Sequence, residues 1–281
     1  PSVDWRDIWN PYDVPQVPET AINMHEWSDV NRAFYEINEN LELRRWMSVL
    51  LSSNNLKALV QRIRQELSKN KSDQLAEALA LIFDPRRQPS FRNDDDRLES
   101  HPYISLTPSR FKELMHQYGQ LDNVGTFLDI GSGIGDKLFL AYSLGQFESV
   151  VGLEFNKQNI GVANYLMQSI SEGDTQYPIS SVLGDALLFE NYGDFDCIYM
   201  YRPFRDKGLM ASLIGRIAEQ MKPGAIAFDG IGGAMCFRKT EKRLELFDGS
   251  TKEFRPSESI DEILLAFAVH DDTIEQLEGA E

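Results

Sequence analysis

An apolar run that ends in an acid and then three alternate glycines, Thr126-Phe-Leu-Asp-Ile-Gly-Ser-Gly-Ile-Gly-Asp136, constrains this chain more than any other stretch. Phe127, Leu128 and Ile130 have the character of a buried strand, and Gly131, Gly133 and Gly135 permit positive φ and close backbone approach. A strand of this kind turns sharply around a small polar ligand, and the helix after it is expected to start near Asp136. Ligand crevices in open α/β sheets lie outside the carboxyl ends of the strands, so the turn marks both a fold class and a site.

The spacing separates candidate ligands. A dinucleotide turn reads G-x-G-x-x-G and is built for a pyrophosphate, whereas Gly131-Ser132-Gly133-Ile134-Gly135 is preceded by Asp129 with one residue between. That carboxylate repels a phosphate and suits an ammonium group. Val150-Val-Gly-Leu-Glu154 then repeats the pattern of an apolar run closing on an acid, roughly 20 residues on, where a carboxylate can take both hydroxyls of a ribose. A third run, Ser181-Val-Leu-Gly-Asp185, closes on an acid as well. Each acid also has a plain reading as a helix cap or loop residue, because Asp and Glu often follow strands in those roles.

Taken together, the acid, the G-x-G-x-G turn and the two later acids resemble the class I S-adenosylmethionine-dependent methyltransferases. The resemblance covers about Thr107 to Gly230. It implies a Rossmann-like α/β sheet, mostly parallel, with helices on both faces, and S-adenosyl-L-methionine as the cofactor. It also implies cofactor-binding roles for Asp129, Gly131, Ser132, Gly133, Gly135, Glu154, Phe155, Asp185 and Ala186. Phe155 would pack on the adenine face, Asp185 would meet the adenine amino group, and the Ala186 amide would meet the ring. Some members carry a Tyr-x-Pro-Thr-Pro stretch ahead of the glycine strand; Tyr103, Thr107 and Pro108 match it with altered spacing, and their side chains would close over the methionine end.

Acceptor chemistry is less legible. Methyl transfer from a sulfonium needs in-line approach of a nucleophile, so the protein's task is mainly orientation and a base is optional. Amino-methylating members carry Asp/Asn-Pro-Pro-Tyr/Phe after the fourth strand. Here Tyr201-Arg202-Pro203-Phe204 stands in that place, and the amide or acid that would hold a planar amine is missing. Tyr201, Arg202 and His101 remain as catalytic candidates: two polar groups at the crevice edge and an imidazole able to act as a base near neutrality. Arg202 and Arg205 suit an acceptor with a carboxylate or phosphate, because a guanidinium is a forked donor; pairing with Asp206 or Asp196 is the plain alternative. A small anionic acceptor competes with a basic protein target, since the non-SET histone-lysine methyltransferases have a similar Asp-x-Gly-Ser-Gly-x-Gly turn. A cofactor-binding scaffold without catalysis, and an NAD-linked oxidoreductase, are the readings from other classes.

Composition narrows the rest. The chain has 281 residues, 42% of them hydrophobic and 11% aromatic, which is a globular balance. No apolar run approaches the roughly 20 residues that cross a bilayer, and Pro1-Ser-Val-Asp-Trp-Arg has neither the basic nor the apolar region of a secretory signal. Cys197 and Cys236 lie far apart without partner histidines, so no metal site and no disulfide framework is expected, and a cytoplasmic setting fits. A net charge of −16 argues against a nucleic-acid partner, which would call for a basic face. Between Pro256 and Glu281 there are eight acids and no Lys or Arg.

Along the chain, residues 1–85 read as a helical lobe. Val30, Phe34, Ile37 and Leu41 form one face behind a Ser28 cap, Leu56, Leu59, Val60, Ile63 and Leu67 a later one, and Asp84-Pro85 stops the last run. A polar linker over 86–105 includes Asp94-Asp95-Asp96, read as a solvated loop. The methyltransferase-like domain is expected over 106–281. Its helices are predicted behind a Ser109 cap, at Lys137 to Leu144, Lys157 to Ser171 and Asp206 to Met221. Strands are predicted at Thr126 to Ile130, Val150 to Glu154, Ser181 to Leu183, Cys197 to Tyr201 and Ala225 to Asp229. Asp248-Gly249 signals a hairpin between Leu244 to Phe247 and Glu253 to Phe254, and Ile263 to Val269 reads as a final strand.

Overall fold

The computed structural model describes residues 106, 108–118, 125–144, 146–170, 177–230 and 236–266, together with residue 65. The expected lobe over 1–85, apart from an exposed, helical Gln65, and the linker over 86–105 lie outside the described residues, as do His101, Tyr103 and Thr107.

Strand and helix alternate from α1 (Pro108–Tyr118) through β1 (Gly125–Ile130), α2 (Asp136–Ser143), β2 (Phe147–Glu154), α3 (Lys157–Ile170), β3 (Ile179–Leu183), β4 (Cys197–Met200), α4 (Lys207–Gln220) and β5 (Ile226–Asp229). Three more strands follow: β6 (Cys236–Lys239), β7 (Leu244–Asp248) and β8 (Glu253–Pro256). All eight lie in one sheet in the order β3-β2-β1-β4-β5-β6-β7-β8. The first five pair in parallel, with β1 central, and the order turns back between β3-β2-β1 and β4-β5, which makes the β1/β4 edge the place where a crevice opens.

Burial on both faces explains why the parallel strands are continuously apolar. Phe127 and Tyr199 face one core layer with Phe111, Leu114 and Met115 of α1. Leu128, Ile130, Ile198 and Met200 face the other, against Leu213, Ile214 and Ile217 of α4. Each such side chain contributes about 1.5–3 kcal/mol by leaving water. At the amino-terminal edge, Asp196 accepts from the Thr126 N–H at 2.8 Å and its hydroxyl at 2.9 Å, and pairs with Lys222 at 2.8 Å, tying β1, β4 and the end of α4 together.

The sheet is parallel through β5, and β6, β7 and β8 extend it as an antiparallel meander that includes the expected hairpin at Asp248-Gly249. Three expectations need correction. The first is that β6 was not read at all. Its four residues are too few for a visible alternation, with Cys236 and Phe237 buried and Arg238 exposed. Ile263 to Val269 is not a strand in its described part, since 260–266 is helical. Ser259-Ile-Asp-Glu262 is a capping signal that decides it: Ser259 Oγ accepts from the Glu262 N–H at 3.4 Å, and the Glu262 carboxylate accepts from the Glu258 N–H at 3.0 Å. Ser109 does not cap α1, which already begins at Pro108, a residue suited to a first helical turn. Among the described residues no helix is long and apolar enough to cross a membrane.

Candidate functional site

The glycine turn joins β1 to α2 as the sequence requires. Gly131, Gly133 and Gly135 have φ of 74°, 55° and 82°, in the left-handed region that side chains disfavour. Gly131 is exposed, which leaves the turn open toward the crevice. Behind the turn, β2 must also give way. A Cβ on Gly152 would lie 2.5 Å from Ser132 Oγ and 2.8 Å from Leu138 Cδ1, so the strand carries glycine where the loop presses on it.

Asp129 ends β1 at 3% exposure and makes no hydrogen bond with any described residue. Burial holds its carboxyl well above the usual carboxylate range; Asp136 adds to the rise, Lys137 opposes it, and Glu154 adds again. The site thus holds three buried acids. Lys137, itself buried, is ion-paired with Asp136 at the start of α2.

Glu154 does more than the sequence suggested. Its Oε2 accepts from the Gly133 N–H at 2.7 Å and its Oε1 from the Asn156 N–H at 2.8 Å. The carboxylate therefore clamps the glycine turn to the end of β2. Asn156 in turn accepts from the Asn159 N–H at 3.3 Å and caps α3. Phe155, next in the chain, is 43% exposed, an aromatic face turned outward at the crevice edge.

The third acid lies on the neighbouring loop. The Gly184 N–H donates to the Glu154 carbonyl at 2.9 Å, which brings the loop after β3 against the end of β2. Asp185 Oδ1 accepts from the Leu187 N–H at 2.9 Å, the turn-forming contact of its plain reading. Ala186 is buried, and its carbonyl accepts from the Tyr192 hydroxyl at 2.7 Å, which fixes this loop from beneath.

On the other flank, the loop after β4 borders the turn. A Cβ on Gly131 would meet Pro203 Cβ at 3.7 Å, and a Cβ on Gly230 would lie 2.8 Å from Tyr201 Cδ2. Tyr201 and Arg202 are half-buried, and Arg202 has φ 43°, a strained value for a side chain of its size. Phe204 is buried, Arg205 and Asp206 are exposed, and Asp206 caps α4 by accepting from the Leu209 N–H at 2.8 Å. The structure thus gathers Asp129, Ser132, Glu154, Phe155, Asp185, Ala186, Tyr201 and Arg202 at the carboxyl edge of the sheet.

Asp136, Lys137 and Tyr199 were missed. Nothing in Gly135-Asp136-Lys137 announces burial of a charge pair, although an acid at a helix start is favoured by the dipole. Tyr199 reads simply as a strand residue. Among the described residues the buried hydroxyls of Ser132 and Tyr199 have no hydrogen-bond partner, which in a folded protein calls for an explanation at each. Among the described residues no group of His, Cys, Asp and Glu is arranged to hold a metal ion, and both cysteines are free and buried.

No protein-family model matches the chain, and no curated protein matches it. Similar solved structures exist. A glycopeptide N-methyltransferase complexed with sinefungin superposes at TM-score 0.36 and 19% identity, over 43% of this chain and 52% of that one. A geranyl diphosphate C-methyltransferase from Streptomyces coelicolor, complexed with Mg2+, geranyl diphosphate and S-adenosyl-L-homocysteine, gives 0.36 and 19% over 44% and 45%. A Haemonchus contortus phosphoethanolamine N-methyltransferase in complex with S-adenosylhomocysteine gives 0.36 and 21% over 59% and 35%. The chain spans about half the length of the first two of these proteins and about a third of the last.

Proposed function

We propose that the chain is an S-adenosylmethionine-dependent methyltransferase. One observation carries this reading: the buried Asp129 carboxylate, which no described residue hydrogen-bonds, at the edge of an open glycine turn. A buried acid in that state is costly unless a cation joins it, and an amino-acid nucleoside supplies an ammonium. Asp129 would hold that ammonium, Glu154 the ribose hydroxyls, and the Phe155 ring and Ala186 amide the adenine. Asp185, whose Oδ1 also makes the turn contact with the Leu187 N–H, would meet the adenine amino group. The bound cofactor supplies an electrophilic methyl group on a sulfonium. The chain's own work is to orient donor and acceptor and to exclude water.

For the acceptor we favour a small molecule with an anionic group. Arg202 supports it, since a guanidinium raised on a strained backbone beside the turn is suited to a carboxylate or phosphate. A basic protein target, and a binding scaffold without turnover, are the readings set against it.

Calorimetry of the full chain with S-adenosylmethionine, S-adenosylhomocysteine and NADH tests the cofactor. Micromolar binding of the first two and none of NADH is expected; binding of NADH alone would overturn the proposal. Incubation of cell extract with labelled donor then separates an enzyme from a scaffold, because a scaffold transfers no label. With an acceptor in hand, Arg202→Ala is expected to raise the acceptor KM about tenfold or more while donor affinity stays within twofold, as the loss of a charge-assisted contact predicts. Equal loss of both would remove Arg202 from the acceptor side.

A further inference from the structure

Tyr199 carries a polar group that the fold has no use for. It stands in mid-β4, one rung across from Asp129 on β1 and from Phe228 on β5. Its ring lies in the layer of Phe127 and therefore on the Asp129 side of the sheet, since alternate residues of a strand share a face. Phe111 packs edge-on at 5.0 Å, Phe228 lies at 5.4 Å, and Phe127 stacks at 6.4 Å. These contacts fix the ring. The hydroxyl then emerges at 1% residue exposure with no hydrogen-bond partner among the described residues.

Its position is tightly specified. A Cβ on Gly230 would lie 2.6 Å from the Tyr199 oxygen, so the chain leaves β5 through a glycine in order to let the hydroxyl pass. A phenylalanine would fill the same layer without an unsatisfied oxygen, and burying a hydroxyl unpaired costs free energy. Burial first, and then the charges of Asp129, Asp229, Tyr201 and Asp136 in that order, keep the phenol protonated and thus a donor. Asp129 is the complementary case, a buried acceptor to which no described residue donates a hydrogen bond. A donor and an acceptor thus share one rung.

We propose that Tyr199 is a positioning residue of the amino-acid subsite, whose hydroxyl donates to the Asp129 carboxylate once that carboxylate ionises against an incoming ammonium. This rests on the donor-site reading above. The other ionisable groups facing Asp129 are Asp136 and Lys137 from α2 and Glu154 from β2, and those facing the hydroxyl include Asp229 at the end of β5 and Tyr201 after β4. A donor to the ionised form favours that form, so removal of the hydroxyl makes Asp129 harder to ionise.

The test uses Tyr199→Phe in the full chain and two stable probes, S-adenosylhomocysteine and 5′-methylthioadenosine, the second lacking the amino acid. Affinities are measured by calorimetry between pH 5 and 9. The expected result is about tenfold weaker S-adenosylhomocysteine binding near neutrality, in line with a lost hydrogen bond to a charged group, with the midpoint of its pH dependence moved upward. Binding of 5′-methylthioadenosine stays unchanged. The ligand-free thermal midpoint is unchanged or higher, which shows that the variant folds. An unmoved pH midpoint, or equal weakening of both probes, overturns the inference and leaves Tyr199 a packing residue. Wild-type protein that binds both probes equally removes the amino-acid subsite while sparing the nucleoside reading, and wild type that binds neither overturns both.

Discussion

On the proposed donor-site reading, Asp129 serves function at the expense of stability. Its carboxyl is raised by burial first, then by Asp136, so the ligand-free fold prefers it protonated. A group raised in the folded state contributes stability fully below its unfolded value, near 3.8, and loses that contribution as the pH climbs through the folded value. Asp129→Asn removes the titration and keeps the shape. The variant is therefore expected to gain on wild type as pH rises, by about 1–3 kcal/mol at pH 8 from relief of an unpaired buried charge, and to lose S-adenosylhomocysteine affinity at least tenfold. Urea denaturation at pH 4, 6 and 8 measures the first; a pH-independent difference between the proteins would mean that Asp129 is not the group being strained. The acid itself was legible, because an acid before G-x-G-x-G is a local pattern. Its neighbours were not. The burial of Asp136 and Lys137 depends on how α2 settles against β2, which no local spacing reveals, and the two backbone donors on Glu154 come from segments 21 and 2 residues away.

At the scale of elements, the turn between β1 and α2 is held by β2 as much as by its own glycines. Gly152 is the point of contact, where Ser132 and Leu138 press on the strand backbone. A methyl group there has nowhere to go, since Ser132 Cβ would be 2.7 Å away and belongs to a turn already clamped by Glu154. Gly152→Ala is thus expected to destabilise the fold by about 1–3 kcal/mol through overpacking and to weaken donor binding, because relief requires the turn to move. Thermal unfolding and calorimetry on one preparation check both. A stable variant with normal affinity would show that the turn is not braced from behind. Strand and helix types over 125–230 were legible because each buried strand is an apolar run and each helix has a face of its own. The elements after Asp229 were less so. A four-residue β6 has too short a period to read, and 260–266 presents apolar residues that suit either structure until the Ser259/Glu262 cap is weighed.

The whole molecule carries a net charge of −16, and the described domain concentrates buried acids on the ligand side of its sheet. The charge balance argued against nucleic acid at the outset, yet it has a second consequence for small ligands. A field of this sign favours a cation over a neutral molecule of the same shape, and salt weakens that preference because exposed charges are screened beyond roughly 10 Å at 0.1 M ionic strength. S-adenosylmethionine bears one net positive charge, from sulfonium and ammonium against one carboxylate, whereas S-adenosylhomocysteine bears none. On the proposed reading both would meet the same adenosine-binding and amino-acid-binding groups. Their affinity ratio is therefore expected to fall in favour of the product as NaCl rises from 20 to 300 mM, by about two- to fivefold, while the thermal midpoint of the ligand-free protein rises as self-repulsion is screened. Parallel titrations at three salt concentrations measure the ratio directly. A ratio indifferent to salt would confine recognition of the sulfonium to contacts inside the crevice, where screening does not reach, and would leave the surface charge to solubility alone.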